Sequence, residues 1–308
     1  MNINKHLFAA YCGMIKSGYD LMDMSDEIVV TVCNWISNVD FTEDVLEYFR
    51  YTKTDMFEVN PYYPRGSDLS AACFFQDKSI DEYVAFLQTC ESPEANNPEF
   101  IAWASALPNI LKQIEKYEEF DEIYCYYEDA LKKRFVDVAE QMSKIEKIVK
   151  NQPFVAQTSV AFAPNLLQAK FLADYALVGD ILYVISGTFK NSAVIHEYLH
   201  IALKPVRRIL LEVIQSHELN RFVDVKRMLE LGYLRGDSDE ERAHTLEECL
   251  VRALCGVINE TLNLEEYCQE NIQSGFHSVP QMMTRLLECS WAEMTLRKMV
   301  LQAMDITK

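Results

Sequence analysis

Glycine and proline are scarce in this chain, nine of each in 308 residues, which excludes collagen-like and low-complexity architectures. Basic residues are the minority charge: 29 Lys and Arg face 47 Asp and Glu, for a formal charge of −18. Such a surface repels a phosphate backbone, because nucleic-acid affinity comes chiefly from Lys and Arg displacing counterions. Nucleic acid is therefore not an expected partner. No apolar run approaches the roughly 20 residues of a membrane-spanning helix, so no membrane partner is expected either. The apolar run Leu7 to Ile15 ends on Lys16, where a secretory cleavage site would need small residues. It reads as an amphipathic first helix. C-x-x-C spacing is also lacking. The nine cysteines, at 12, 33, 73, 90, 125, 249, 255, 268 and 289, are odd in number and widely spaced, which argues against a disulfide framework or a cysteine zinc site. Reduced, mostly core thiols imply a reducing compartment, and a cytoplasmic location is expected.

What the chain does have is core material, with 49% hydrophobic residues. Apolar residues recur at three and four residue spacing in Asp26 to Ile36, Glu43 to Tyr51, Ile80 to Leu87, Glu99 to Tyr117 and Ile123 to Val149, which predicts helices. Turn-forming clusters at Asn60 to Gly66 and Ser92 to Pro98 separate them. From Gln152-Pro153 onward, Phe154 to Phe162 and Phe171 to Ile185 are rich in β-branched and aromatic residues. Gly179-Asp180 is the expected hairpin turn of a small antiparallel sheet. Helical spacing returns in Ser192 to Leu203, Val206 to Glu218, Val223 to Leu231 and Ser238 to Leu262, then around Leu264 to Ile272 and Pro280 to Met304. Ser238 followed by Glu241 has capping-box spacing. The expected fold class is α+β, predominantly helical, with residues 1–151 as a helical N-terminal region and 152–308 as a second domain.

The residues that carry chemistry are His196-Glu197-Tyr198-Leu199-His200. Two histidines four apart project from one face of a helix and can hold a single ion. Glu197, one residue on, points beside that ion, where its carboxylate can take a proton from water activated there. Zinc lowers the pKa of such a water to about 7 and polarises the carbonyl it attacks. The expected cofactor is Zn2+, with His196 and His200 as metal ligands and Glu197 as the catalytic base.

A catalytic zinc takes a third protein ligand. The later helix offers His244, Glu247 and Glu248. Helical phase puts Glu247 beside the apolar stripe of Ala243, Leu246, Leu250 and Leu254, where an unpaired carboxylate is costly. Glu248 shares a face with His244 and Arg252. Glu212 and Glu218 are further candidates, more simply explained by a surface helix. Tyr233, Arg252 and His244 are candidate donors to a developing oxyanion.

In these residues the chain resembles the gluzincin class of zinc metallopeptidases, in which a Glu from a later helix joins the two His of HExxH. It looks most like gluzincin-like families with an HE-aromatic-x-H motif, an Asn-Pro or similar dipeptide after it, and a helix reading Glu-x-x-Val-Arg-Ala. The counterparts are His196 to His200, Lys204-Pro205, and Glu248-Cys249-Leu250-Val251-Arg252-Ala253. Lys204 stands where such families often have Asn. The resemblance covers about residues 152 to 260 and implies a zincin-like helical active-site domain beside the sheet. It implies Glu248 as third ligand, a peptide or protein as substrate, and a strand within Ile181 to Ser186 serving as a sheet edge onto which an extended peptide adds. The competing reading is a catalytically inactive metal-binding helical protein with an interaction or regulatory role.

Overall fold

The computed structural model describes residues 1–50, 66–90, 92–150, 158–169, 172–234, 236–259, 262–289 and 294–306. The turns expected at 60–65 and at 152–153 lie outside them. Fifteen helices and three strands are described: α1 (Lys5–Lys16), α2 (Glu27–Asn38), α3 (Glu43–Arg50), α4 (Gly66–Cys73), α5 (Ile80–Thr89), α6 (Pro98–Ile114), α7 (Phe120–Arg134), α8 (Val138–Lys150), β1 (Ser159–Pro164), β2 (Ala173–Val178), β3 (Ile181–Ser186), α9 (Asn191–Ala202), α10 (Arg207–Ser216), α11 (Val225–Leu231), α12 (Asp239–Ile258), α13 (Leu264–Gln273), α14 (Val279–Leu287) and α15 (Leu296–Ala303). The class is α+β and predominantly helical. Among the described residues no helix is long and apolar enough to cross a membrane. All nine cysteines are free thiols.

The chain divides into two compact units, one of residues 1–142 with 158–189, the other of 143–157 with 190–308. The strands thus fall with the N-terminal helices, whereas the sequence pattern grouped them with the motif helix.

In the first unit α1 buries every residue from Leu7 to Met14, against α2, α3, α4 and α6. An aromatic cluster continues this core, with Phe8 against Phe120, Tyr124 and Tyr127. α2 begins on Asp26, whose side chain accepts from the Ile28 amide at 3.0 Å and pairs with Arg134 at the end of α7. Burial works against this carboxylate, but Arg134 and the capping amides outweigh it and hold its pKa below the ordinary value. Asp26→Ala is expected to lower the stability of this unit by about 1 kcal/mol at pH 7. A depressed folded pKa means the contribution is complete above the unfolded value of about 3.9 and is lost as pH falls through the folded one. Denaturant titrations should therefore show the gap between wild type and variant closing in acid; a gap independent of pH would contradict the assignment.

The sheet corrects two expectations. It is mixed instead of antiparallel: β2 and β3 form the hairpin, while β1 runs parallel to β3 on its other side, in the order β1-β3-β2. The hairpin closes through Gly179-Asp180, between paired Val178 and Ile181. Gly179 has φ of 62° while Asp180 is not left-handed, the pattern of a two-residue turn with glycine first. β3 is consequently the central strand, its six residues paired on both sides. Its amides and carbonyls are already engaged, so a peptide cannot add to it as a further strand. A third correction concerns the expected continuous helix from Ile123 to Val149, which breaks after Arg134. Phe135 leaves helical geometry at φ −107° and ψ 33°, and its ring packs edge-on against Phe162. A tertiary contact stops the helix there without glycine or proline.

In the second unit α12 is the central element, packed against α9, α10 and α14. Ser238 caps it by accepting from the Glu241 amide at 3.2 Å, and Asp239, Glu240 and Glu241 in its first turn suit the positive helix end. From Ala243 to Ile258 nearly every residue is buried, on all sides of the helix.

Candidate metal centre

α9 buries Val194, Ile195, Glu197, Tyr198, Leu199, Ile201 and Ala202, leaving His196 and His200 partly exposed on one face. The four-residue spacing stacks them one turn apart, with ring centroids 4.9 Å apart. Opposite this face α12 carries Glu247 and Glu248, which are 7% and 8% exposed. Two adjacent carboxylates so deeply buried each need compensation. They share His200, each at a different ring nitrogen, and Glu248 also pairs with His196 and Arg252.

Glu248 places Oε2 3.5 Å from His196 Nε2 and 3.3 Å from His200 Nε2, and the two Nε2 atoms are 3.1 Å apart. Ligands at about 2.0–2.1 Å from a tetrahedral zinc lie about 3.3 Å from one another. The triangle of His196, His200 and Glu248 donor atoms has the size of one face of such a tetrahedron. Glu247 instead reaches the far side of His200, its Oε1 3.2 Å from Nδ1. A carboxylate there accepts the Nδ1 proton, so a neutral His200 presents its Nε2 lone pair to the triangle. Metal-bound histidines are commonly oriented by carboxylates in this way.

The electrostatics agree with that geometry. Burial opposes a charged His200, but Glu247 and Glu248 outweigh it and raise its pKa well above the ordinary imidazole. Burial also opposes ionisation of Glu248, yet His196, Arg252 and His200 hold its carboxyl well below the usual range. Glu247 is held low despite burial by His200, His244 and Arg207. The two carboxylates thus favour positive charge within the triangle, carried by a proton on His200 or by a cation in its place. Glu197, 8% exposed, has its pKa raised by burial, with His196 and His200 opposing that shift and Glu248 adding to it. Its carboxylate lies within electrostatic reach of all three donors.

Sequence reasoning offered Glu247 and Glu248 as alternatives, and the structure brings both against His200, at different ring nitrogens. Phase reasoning assumed one buried stripe, but α12 is enclosed around most of its circumference. His244 is exposed and stands outside the triangle. So do Glu212, which pairs with Arg297 at 2.5 Å, and the exposed Glu218. Arg252, a candidate oxyanion donor, is turned onto Glu248, its Nε donating to Oε1 at 2.7 Å. The buried Asn271 and the ring of Phe276, which no motif marked, hold Arg252 from behind. Tyr233 follows Gly232, whose left-handed φ of 75° closes α11 and turns the chain. Its hydroxyl accepts from Arg252 at 3.1 Å and so keeps its own proton to donate.

No family model, curated protein or solved structure matches this chain. The gluzincin resemblance therefore rests on the motif residues alone.

That Glu247 would orient His200 toward a bound ion is testable. Glu247→Gln can still touch Nδ1 but no longer supplies negative charge, and its amide group presents a donor as readily as an acceptor. We expect zinc affinity to fall about 10-fold to 100-fold, measured by competition with a chromogenic chelator. Unchanged affinity would remove Glu247 from the account.

Proposed function

We propose that this chain is a zinc-dependent hydrolase of the metallopeptidase type, with His196, His200 and Glu248 as metal ligands and Glu197 as general base. The observation that carries the reading is the convergence of three donor atoms at tetrahedral-face spacing beside a buried carboxylate. Zinc held there supplies a Lewis acid that polarises a carbonyl and acidifies water. The chain's own residues do the rest. Glu197 takes the proton of the attacking water and passes it to the leaving nitrogen, a role that suits a carboxylate whose pKa is raised by burial. Tyr233, whose hydroxyl accepts from Arg252 and keeps its own proton, is the donor we assign to the carbonyl oxygen as it gains charge. Glu247 keeps His200 oriented throughout.

The peptide as substrate class follows from the gluzincin resemblance, and the charge of −18 favours cationic segments near the protein. The zinc-loaded chain, incubated with a mixed peptide library and read by mass spectrometry, should produce new termini that disappear on chelation. Stoichiometric zinc with no cleavage of any peptide would instead support the inactive metal-binding reading.

A further inference from the structure

We infer that Arg252 is a positioning residue that restricts Glu248 to binding metal through one oxygen, an inference that rests on the zinc reading above. Each of the three guanidinium nitrogens donates a hydrogen bond to a different residue. Nε donates to Glu248 Oε1 at 2.7 Å, one terminal nitrogen to Asn271 Oδ1 at 3.2 Å and the other to the Tyr233 hydroxyl at 3.1 Å. The centre of the group lies 4.2 Å from the Phe276 ring centroid and 5.3 Å from that of Tyr233, within cation–π distance. The partners are themselves held. Asn271, 1% exposed, donates its amide to the Tyr267 carbonyl at 2.7 Å, which aims its oxygen at Arg252. The Tyr267 hydroxyl donates to the Arg252 carbonyl at 2.9 Å, and the Tyr233 ring packs edge-on against Phe276. The planar fork therefore cannot rotate without breaking several contacts.

This bed determines what Glu248 can do. A free carboxylate can grip a cation with both oxygens. Here Oε1 belongs to Arg252, and only Oε2 faces the two imidazole nitrogens. Two nitrogens and one oxygen leave a fourth tetrahedral position open, which hydrolysis requires. A second carboxylate oxygen would compete for that position. A lysine at 252 would supply charge but not the fork, being a point charge on a flexible stem. The spacing of four residues places both side chains on one face of α12, so ligand and support move as one piece.

The test uses the whole chain loaded with zinc or with cobalt(II), whose visible bands weaken as its coordination number rises. For Arg252→Met we expect zinc affinity to fall about 10-fold to 100-fold, and the bound cobalt to show the weaker bands of a higher-coordinate ion as both Glu248 oxygens engage. Arg252→Lys should shift both readouts in the same direction, and it carries the test if Arg252→Met does not fold. A purely structural role would reduce the amount of cobalt bound while leaving the spectrum of the bound fraction unchanged, which would overturn the inference. Wild-type affinity and spectrum in the variants would do the same while leaving the metal site standing. Absence of metal binding in the wild type would remove both.

Discussion

Glu197→Gln should retain a full complement of zinc and lose about 10²-fold to 10⁴-fold in kcat, the range contributed by a positioned general base. The amide has the shape of the carboxylate but cannot accept the proton. Glu197 lies outside the ligand triangle, so metal content should not change. Stability should change little, because glutamine keeps the shape of the buried side chain. The variant should melt close to the wild-type temperature while being nearly inactive. That combination separates a catalytic role from a structural one. Equal kcat in the two proteins would dismiss Glu197 as base, and loss of zinc would make it part of the ligand set.

On the proposed zinc reading, removal of the ion has the second large effect. Three lone-pair atoms within 3.5 Å of one another, flanked by buried carboxylates, are mutually repulsive unless positive charge sits among them. A cation that binds only the folded site stabilises it by mass action, by about 4 kcal/mol when free zinc exceeds its Kd about 1,000-fold. Calorimetry of the whole chain should show the transition of the second unit moving to lower temperature on chelation, while that of the first unit stays in place. Because the chain has two compact units, the comparison is of each transition with itself and not of a single overall melting point. Magnesium should not restore the lost stability, since imidazole suits zinc and magnesium prefers oxygen ligands. A second-unit transition indifferent to chelator would deny that zinc occupies the site.

Much of this centre could be read from spacing. The two histidines and Glu197 follow from the geometry of one helix, and the Ser238 cap located the start of the helix facing them. What spacing cannot supply is the wrapping of α12. Helical phase treats one stripe as buried, so it set Glu247 against Glu248, whereas a helix enclosed around most of its circumference buries both and finds each a partner. Asn271 and Phe276 were invisible for a related reason: their role depends on α13 and the segment after it returning to α12, a long-range fact with no local pattern. The sheet shows the same limit. Strand content and the Gly179-Asp180 turn were plain in the residues, but a hairpin signal fixes only β2 against β3. It does not say that β1 joins in parallel on the far side of β3 and leaves that strand without a free edge. Likewise no breaker residue marks the end of α7, where Phe135 packs on Phe162.

We propose that His196, His200 and Glu248 together hold one zinc ion. Elemental analysis of protein purified without added metal, wild type beside His196→Ala, tests it most directly. We expect close to one zinc per wild-type chain and little in the variant, because removing one of three ligands leaves an incomplete site. Equal and negligible zinc in both proteins would contradict it.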